Sequence, residues 1–284
     1  SWGADYTYTY ADVDKDDKVL NLATSSDIPT LDLSKATDQQ SFQTANTTME
    51  GLTRVDAEGK VQPGVAESWE TSEDGLTWTF KLRKNSTWSN GTPVTAHDFE
   101  YSWKRTLTPE TAAEYSYIMA DIVGSSTKEI QENGVDGVGV KALDDYTLEV
   151  KLNRPVAYFA ELVSFQVFFP QNQAFVESCG DAYGSAADKQ LYNGPFTLTS
   201  WKMEDQFTME KNPNYWDAAN VKLNKINTKV VKDTGAEVSL YEDGQIDRAI
   251  LSSDYVDKYK DSKELKTREV ASIFMLQING GNHK

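Results

Sequence analysis

The sequence predicts an α/β fold with many short strands. Residues 77–83 alternate between apolar and polar side chains, which is typical of a half-buried strand. Residues 38–49 carry apolar side chains at helical spacing, and residues 138–152 have the pattern of a hairpin. A chain of 284 residues is long enough to bury a substantial core and to form two domains.

The N-terminal region contains one predicted strand and one predicted helix. The strand covers residues 18–23, KVLNLA, and a loop leads from it to a helix at about residues 38–49. Phe42, Ala45 and Met49 share one face of this helix.

Residues 66–103, AESWETSEDGLTWTFKLRKNSTWSNGTPVTAHDFEYSW, give the most informative pattern in the chain. The strand at residues 77–83 has turn signals on both sides, DG at residues 74–75 and NG at residues 90–91. Thr95 is then the predicted N-cap of a helix with an apolar face. Strand, turn and helix follow one another without a nucleophile, a general base or a set of metal ligands. The block therefore favours binding over catalysis.

The same patterns predict the remaining elements in order. Within residues 51–169 the helix at residues 96–107 is the one clear helix, and residues 158–169 form an apolar segment. The other predicted elements are strands at residues 138–143, 147–152, 196–201, 206–210, 224–231, 245–250 and 273–278 and a helix at residues 234–243.

Composition excludes several classes of protein. The chain has 44 acidic and 28 basic residues and a net charge of −16, which argues against binding to nucleic acid. No stretch is apolar for long enough to span a bilayer. Cys179 is the only cysteine, so it is predicted to be an unreactive thiol without a disulfide partner. The polar start at Ser1 is predicted to be a mature N-terminus or a short tether, without a signal peptide.

Catalytic and metal-binding chemistry has few candidates. His97 and His283 are the only histidines, which leaves little scope for histidine catalysis or a multi-histidine metal site. Residues 12–16 have the alternate aspartates of a calcium loop, but Asp17 stands where that loop needs glycine. We therefore predict no metal and no cofactor. Pairs of carboxylates of the glycosidase type are not excluded by counting residues.

Six motifs occur in a fixed order along the chain. They are SDIPTLD at residues 26–32, EGLT at 50–53, VQPGVAESW at 61–69, VKALDD at 140–145, YNGPF at 192–196 and NPNYWD at 212–217. Together with the block at residues 66–103, they resemble the oligopeptide- and dipeptide-binding proteins of bacterial ABC importers, the extracellular solute-binding proteins of family 5. The resemblance extends from about residue 20 to residue 279, although Leu33 stands where the family usually has proline.

The resemblance implies a periplasmic-binding-protein-like fold of class II, in the peptide-binding cluster, with ligand held between two lobes. Domain I is then a mixed sheet built from residues 1–50 and 175–279, and the strand-rich domain II at residues 51–174 is inserted into it. Residues 280–284 are expected to be a tail or a junction. The family's third domain and the closing strands of domain I are expected to be missing, so that this chain carries one wall of the cleft.

The resemblance also maps a ligand-pairing segment onto Thr37, Asp38 and Gln39. Main-chain hydrogen bonds to an extended peptide would satisfy the ligand whatever its sequence. An alternative interpretation makes Asp38 and Gln39 the first turn of a helix, where the helix dipole favours an aspartate. The two interpretations are compatible.

Five further residues map near the ligand. Tyr115 corresponds to a tyrosine that lines the cleft, and Tyr117 is the neighbouring alternative. Phe165 and Gln166 map near a side-chain pocket, and Phe274 maps to the strand that leads into the third domain. Simple core packing would also explain the aromatic residues.

The function implied by the resemblance is capture of short peptides outside the cytoplasm and their delivery to an ABC permease, without enzymatic activity. The protein would be a cell-surface lipoprotein or a periplasmic protein of a bacterium. Within the family, a sugar or a peptide pheromone is the alternative ligand. From a different class, a secreted carbohydrate-active enzyme would use its Trp and Tyr residues as stacking platforms. The exposed cleft wall could also cause self-association or domain swapping.

Overall fold

The computed structural model describes residues 9–250, 265–268 and 273–277, and the backbone alone for residues 249–250 and the last two ranges. The α-helices are α1 (Gln39–Thr48), α2 (Ala96–Leu107), α3 (Thr127–Asn133), α4 (Phe159–Leu162), α5 (Gln173–Cys179) and α6 (Thr234–Glu242). The strands are β1 (Val19–Thr24), β2 (Thr53–Val55), β3 (Val61–Pro63), β4 (Ala66–Thr71), β5 (Thr77–Leu82), β6 (Val140–Asp144), β7 (Thr147–Lys151), β8 (Phe196–Lys202), β9 (Gln206–Lys211), β10 (Lys225–Val230), β11 (Arg248–Ile250), β12 (Leu265–Arg268) and β13 (Ile273–Gln277).

The described chain divides into two compact units. The first contains Pro29–Gly194 and Asn214–Trp216, and the second contains Tyr10–Ile28, Pro195–Pro213 and the described residues from Asp217 onward. The resemblance implies domain boundaries at residues 50 and 174, which differ from the limits of these compact units at residues 28 and 194. The implied boundaries stay a prediction.

The core of the first unit is built on a four-stranded antiparallel sheet. Its strand order is β4-β5-β7-β6, and Trp78 and Phe80 of β5 lie opposite Val150 and Leu148 of β7. All of these side chains are buried on one face of the sheet. Helix α2 packs against the β6 side of this sheet, so the block at residues 66–103 forms the hydrophobic scaffold of the unit.

Helix α2 also holds the apolar segment predicted at residues 158–169. The indole Nε1 of Trp103 donates a hydrogen bond of 2.8 Å to the carbonyl of Phe168, and the Ser102 hydroxyl donates one of 2.5 Å to the carbonyl of Phe169. The segment itself consists of α4 and a 3₁₀ turn at Gln166–Phe168. These contacts fix the part of the chain that contains Phe165 and Gln166.

The second unit contains a mixed four-stranded sheet of order β1-β10-β9-β8. Strand β1 pairs with β10 in parallel, whereas β10, β9 and β8 pair in antiparallel fashion. A further sheet has the order β11-β13-β12 and is antiparallel. A mixed sheet together with helices confirms the predicted α/β class.

Most predicted elements occur within two residues of their predicted ends, but the first unit contains more helices than the sequence predicted. Helix α2 coincides with its prediction, whereas α3 and α5 were not predicted, and neither was the short helix α4. Helix α3 has the sequence TKEIQEN and buries only Ile130, so it shows no amphipathic period. Within the described residues, no helix is both long and apolar enough to cross a membrane.

Candidate functional site

The start of α1 presents an extended backbone. Asp38 is the N-cap, with φ −121° and ψ 159°, and its carboxylate accepts a hydrogen bond of 2.9 Å from the Ser41 amide. Thr37 and Gln39 on either side are exposed. The first four amides of a helix have no acceptor within the helix, and the Asp38 side chain uses one of them. The amide of the exposed Gln39 at this helix start is suited to an external acceptor.

Tyr115 connects a distant part of the chain to this segment. It precedes a 3₁₀ turn at Ser116–Met119, and its hydroxyl donates a hydrogen bond of 3.3 Å to the carbonyl of Thr37. The structure therefore brings together two predicted site segments that lie 78 positions apart in sequence.

Four aromatic side chains form a group beside α1, which we call the aromatic cluster: Phe42, Tyr115, Tyr117 and Phe165. The Phe42 ring centroid lies 5.2 Å from that of Phe165 and 6.0 Å from that of Tyr115. The Tyr115 centroid is 6.0 Å from both Tyr117 and Phe165. Tyr117 is 67% exposed and the other three are half-buried. The cluster thus combines mutual packing with aromatic surface that is open to a ligand.

A buried amide pair lies next to the aromatic cluster. The side-chain nitrogen of Gln166 donates a hydrogen bond of 2.8 Å to the side-chain oxygen of Asn46, one helical turn after Phe42. The side-chain oxygen of Gln166 is buried and has no hydrogen-bond partner within the described structure. The pair places buried polar groups directly beside the aromatic cluster.

The structure places the predicted site residues as follows. Thr37 and Phe165 both contact Tyr115, and Gln166 follows Phe165 directly. Phe274 lies in β13, where the structure describes the backbone alone. Its predicted contact with ligand therefore lies outside what the structure describes.

Sequence reasoning did not identify two residues of the site, Phe42 and Asn46. Phe42 shares a predicted helix face with Ala45 and Met49, but those two residues are buried whereas Phe42 is half-buried in the aromatic cluster. The signal was the spacing of four residues from Asp38 to Phe42 and from Phe42 to Asn46, which places all three along one side of α1.

Glu50 lies directly after α1 and is the centre of a buried network. Its carboxylate accepts hydrogen bonds from the Tyr215 hydroxyl and from the Trp216 indole, the latter at 2.7 Å. The side-chain amide of Asn193 bonds to both the amide and the carbonyl of Glu50, at 3.0 Å each. Burial raises the pKa of Glu50 above its ordinary value, although Arg54 and the two aromatic donors oppose the shift.

Asp98 is a second buried carboxylate, in the first turn of α2. One of its oxygens accepts hydrogen bonds from the Thr95 amide at 2.9 Å and from the Trp88 indole at 3.1 Å. Burial raises the pKa of Asp98 to about 6, against the lowering effect of these hydrogen bonds and of His97. Both partners belong to the block at residues 66–103, so this carboxylate serves the scaffold.

Metal-ligand chemistry finds no support in the described part of the chain. No group of three or more His, Cys, Asp or Glu residues there is arranged to hold a metal ion. The lone Cys179 is half-buried at the end of α5.

Comparisons with known proteins give a consistent result. A family model described as bacterial extracellular solute-binding proteins, family 5 middle, matches residues 60–283. The oligopeptide-binding protein OppA of Bacillus subtilis (strain 168) is 37% identical over 249 residues, which are 86% of this chain and 46% of that protein.

Two solved structures share the fold. The substrate-binding domain of an oligopeptide ABC transporter from Bacillus anthracis str. Ames has a TM-score of 0.85 and 48% identity, covering 87% of this chain and 48% of that one. Listeria monocytogenes OppA bound to peptide has a TM-score of 0.85 and 42% identity, covering 88% and 49%. The chain therefore spans about half the length of the relatives it matches.

Proposed function

The chain belongs to the bacterial extracellular solute-binding proteins of family 5, and we propose that it binds short peptides at the start of α1. The observation that carries this proposal is the start of α1, where the backbone of Asp38 is extended and Thr37 and Gln39 on either side of it are exposed. Tyr115 bonds the carbonyl of Thr37, and the Asp38 side chain caps the helix. An extended segment can pair with a peptide backbone through hydrogen bonds that do not depend on the peptide's sequence.

The aromatic cluster supports the same proposal. Tyr115 and Tyr117 offer phenol rings that can stack on a ligand and still form hydrogen bonds. Phe165 and Gln166 lie beside them and are suited to contact a ligand side chain. Phe274 keeps its proposed role in ligand contact.

For the whole protein, we infer delivery of peptides to an ABC permease. The family consists of solute-binding proteins and not of enzymes. Its members are extracytoplasmic, and we propose that this protein is either a cell-surface lipoprotein or periplasmic.

The exposed Tyr117 surface is also a candidate for self-association of this chain, which sedimentation velocity would detect as a concentration-dependent dimer.

The proposal is tested by removing one main-chain donor without disturbing α1. Gln39 is the first residue of α1, a position that accepts proline, and the extended Asp38 before it is compatible with a following proline. Gln39→Pro therefore deletes the amide donor, whereas Gln39→Ala changes the side chain alone. We expect tri- and pentaalanine to shift the NMR signals of residues 37–43, and the affinity to fall about tenfold in Gln39→Pro and less than about twofold in Gln39→Ala.

Three outcomes would contradict the proposal. Equal affinities of the two variants would show that the Gln39 amide does not pair with the peptide. Shifts of the same residues by maltose, at concentrations where the peptides have no effect, would favour the sugar alternative. A single defined ligand that co-purifies, such as one pheromone, would replace general peptide binding.

A further inference from the structure

Arg105 of α2 forms a buried ion pair with Asp32, and Asp32 lies a few residues before the proposed ligand segment in the sequence. The two guanidinium Nη atoms donate hydrogen bonds of 2.8 Å each to the two carboxylate oxygens of Asp32. The side chain of Arg105 is 16% exposed and that of Asp32 is 4% exposed. A bidentate pair of this kind fixes orientation as well as distance.

Further polar groups close the network around this ion pair. Nη1 of Arg105 also donates to the side-chain oxygen of Gln171 at 3.0 Å, and the Gln171 nitrogen donates to the Ser34 hydroxyl at 2.8 Å. The Ser34 hydroxyl lies 2.8 Å from that of Thr106, the neighbour of Arg105 on α2. Because each buried group has a partner, the network holds the turn after Asp32 in one arrangement.

The backbone carries this constraint to the ligand segment. The Asp32 carbonyl accepts hydrogen bonds of 3.0 Å from the amides of Lys35 and Ala36, and a carboxylate oxygen of Asp32 accepts one of 3.1 Å from the Ser34 amide. Thr37 follows Ala36 directly. The path into α1 is therefore anchored at Asp32 before the ligand segment and at the Asp38 cap within it.

Close packing leaves Asp32 little freedom to move. A Cβ atom on Gly184 would lie 2.5 Å from the Asp32 amide nitrogen, and the Gly184 carbonyl accepts a hydrogen bond of 3.0 Å from Leu31. The Tyr183 ring centroid lies 5.2 Å from the guanidinium carbon of Arg105. Arg105 is thus held on one face by Tyr183 and along its edge by Asp32 and Gln171, which a lysine ammonium cannot reproduce.

We propose that Arg105 is a positioning residue for ligand binding: through Asp32 it fixes the main chain of Thr37–Gln39 in the geometry that pairs with a peptide. This inference rests on the proposed function of that segment. Arg105 itself contacts no ligand in this scheme, and it acts by keeping the segment from sampling other conformations.

The test compares Arg105→Lys with two controls in the full chain of 284 residues. Arg154→Lys is the matched control, because Arg154 also forms a bidentate pair, with Asp121 at 2.8 and 3.0 Å, but is 57% exposed. Val150→Ala is a stability control, because it removes buried volume from the sheet of the same unit. Pentaalanine affinity and amide hydrogen exchange of Lys35 and Ala36 are measured by NMR, with the melting temperature of each variant.

We expect Arg105→Lys to weaken pentaalanine binding about tenfold and to accelerate exchange of these two amides about tenfold. Both controls should leave the two quantities within about twofold, even though Val150→Ala lowers the melting temperature. Unchanged affinity in Arg105→Lys, or an equal loss in Val150→Ala, would overturn the inference. If the wild-type chain binds no peptide, the proposed function fails, and the exchange rates alone decide whether Arg105 fixes the segment.

Discussion

Buried carboxylates have scaffold roles in this chain. Glu50, Asp98 and Asp32 are all less than a tenth exposed. Each accepts a hydrogen bond from a side chain elsewhere in the chain, namely Trp216, Trp88 and Arg105, respectively. A buried carboxylate is costly unless it is paired, so each one specifies the partners around it. These residues hold surfaces in place, whereas the proposed ligand contacts are made by main chain and aromatic rings.

Asp98 should make the stability of the chain depend on pH. Its pKa of about 6 in the folded state lies above the ordinary value of 3.8, so the folded state binds the proton more tightly than the unfolded state. The free energy of unfolding therefore falls as pH rises from about 4 to about 6. We expect the wild-type chain to lose ~2–3 kcal/mol relative to Asp98→Asn over this range, measured by urea denaturation.

Asp74 supplies a control of opposite sign. Its pKa is lowered by hydrogen bonds from the Ser72 hydroxyl and the Leu76 amide, so its contribution to stability is present above the unfolded pKa and is lost as pH falls. The wild-type chain should therefore lose its stability advantage over Asp74→Asn as the pH falls below the unfolded pKa of 3.8. Parallel pH curves for Asp98→Asn and the wild-type chain would show that Asp98 titrates normally.

At the scale of elements, the sequence predicted the helices and strands that have a clear apolar period, and it missed the short helices α3 and α5. Helix α2 and the strands of the hairpin carry enough apolar residues to show their period, and they were placed closely. Helices α3 and α5 have seven residues each and bury one residue apiece, so they have no periodic pattern to recognise. Their N-caps, Ser126 and Asn172, were the available signals.

The candidate site was predictable to a different degree. Ligand contact by residues 37–39 and by Tyr115 was predicted from the resemblance to the family and not from any periodicity. These roles stay predictions. Phe42 was missed because a half-buried aromatic residue on an apolar helix face looks like a core residue in sequence. Asn46 was missed because its sequence position does not show that this polar side chain is buried. The partners that distinguish them, Phe165 and Gln166, are more than a hundred residues away along the chain.

The approach of the turn at Gly194 to the end of α1 depends on the absence of a side chain. A Cβ atom at Gly194 would lie 2.5 Å from the Met49 amide nitrogen. We expect Gly194→Ala to lower the free energy of unfolding by about 2–4 kcal/mol, because backbone atoms would have to move. Denaturant unfolding monitored by tryptophan fluorescence measures the change.

Gly91→Ala is the matched control, since a Cβ atom there has no neighbour within 4 Å and the residue has φ +87°. Its cost should be limited to backbone strain of about 1 kcal/mol. An equal loss of stability in the two variants would mean that the turn at Gly194 can retreat from α1.

For the whole molecule, the net charge of −16 predicts a preference among peptides of equal length. The summed field should raise the affinity of a tripeptide with lysine side chains above that of one with glutamate side chains, because it attracts cations over distances longer than a contact. The preference should be several-fold at about 0.01 M salt and should nearly vanish at about 1 M, where charges are screened. Titration calorimetry at both salt concentrations measures it, and a preference that salt leaves unchanged would indicate a local ion pair instead.

Glu50, Asn193 and Tyr215 come from three stretches of sequence that meet at one residue: Tyr215 bonds the carboxylate of Glu50, and Asn193 bonds its backbone amide and carbonyl. Substitution of Asn193 removes the partner of two backbone groups of Glu50, and substitution of Glu50 or of Tyr215 removes the same buried hydrogen bond. The effects of Glu50 and Tyr215 substitutions on the free energy of unfolding should therefore not add. For the evolution of this fold, we expect a lineage that loses one of these partners to pass through a destabilised intermediate before a second change compensates. The positions that meet at Glu50 should therefore change together among related chains.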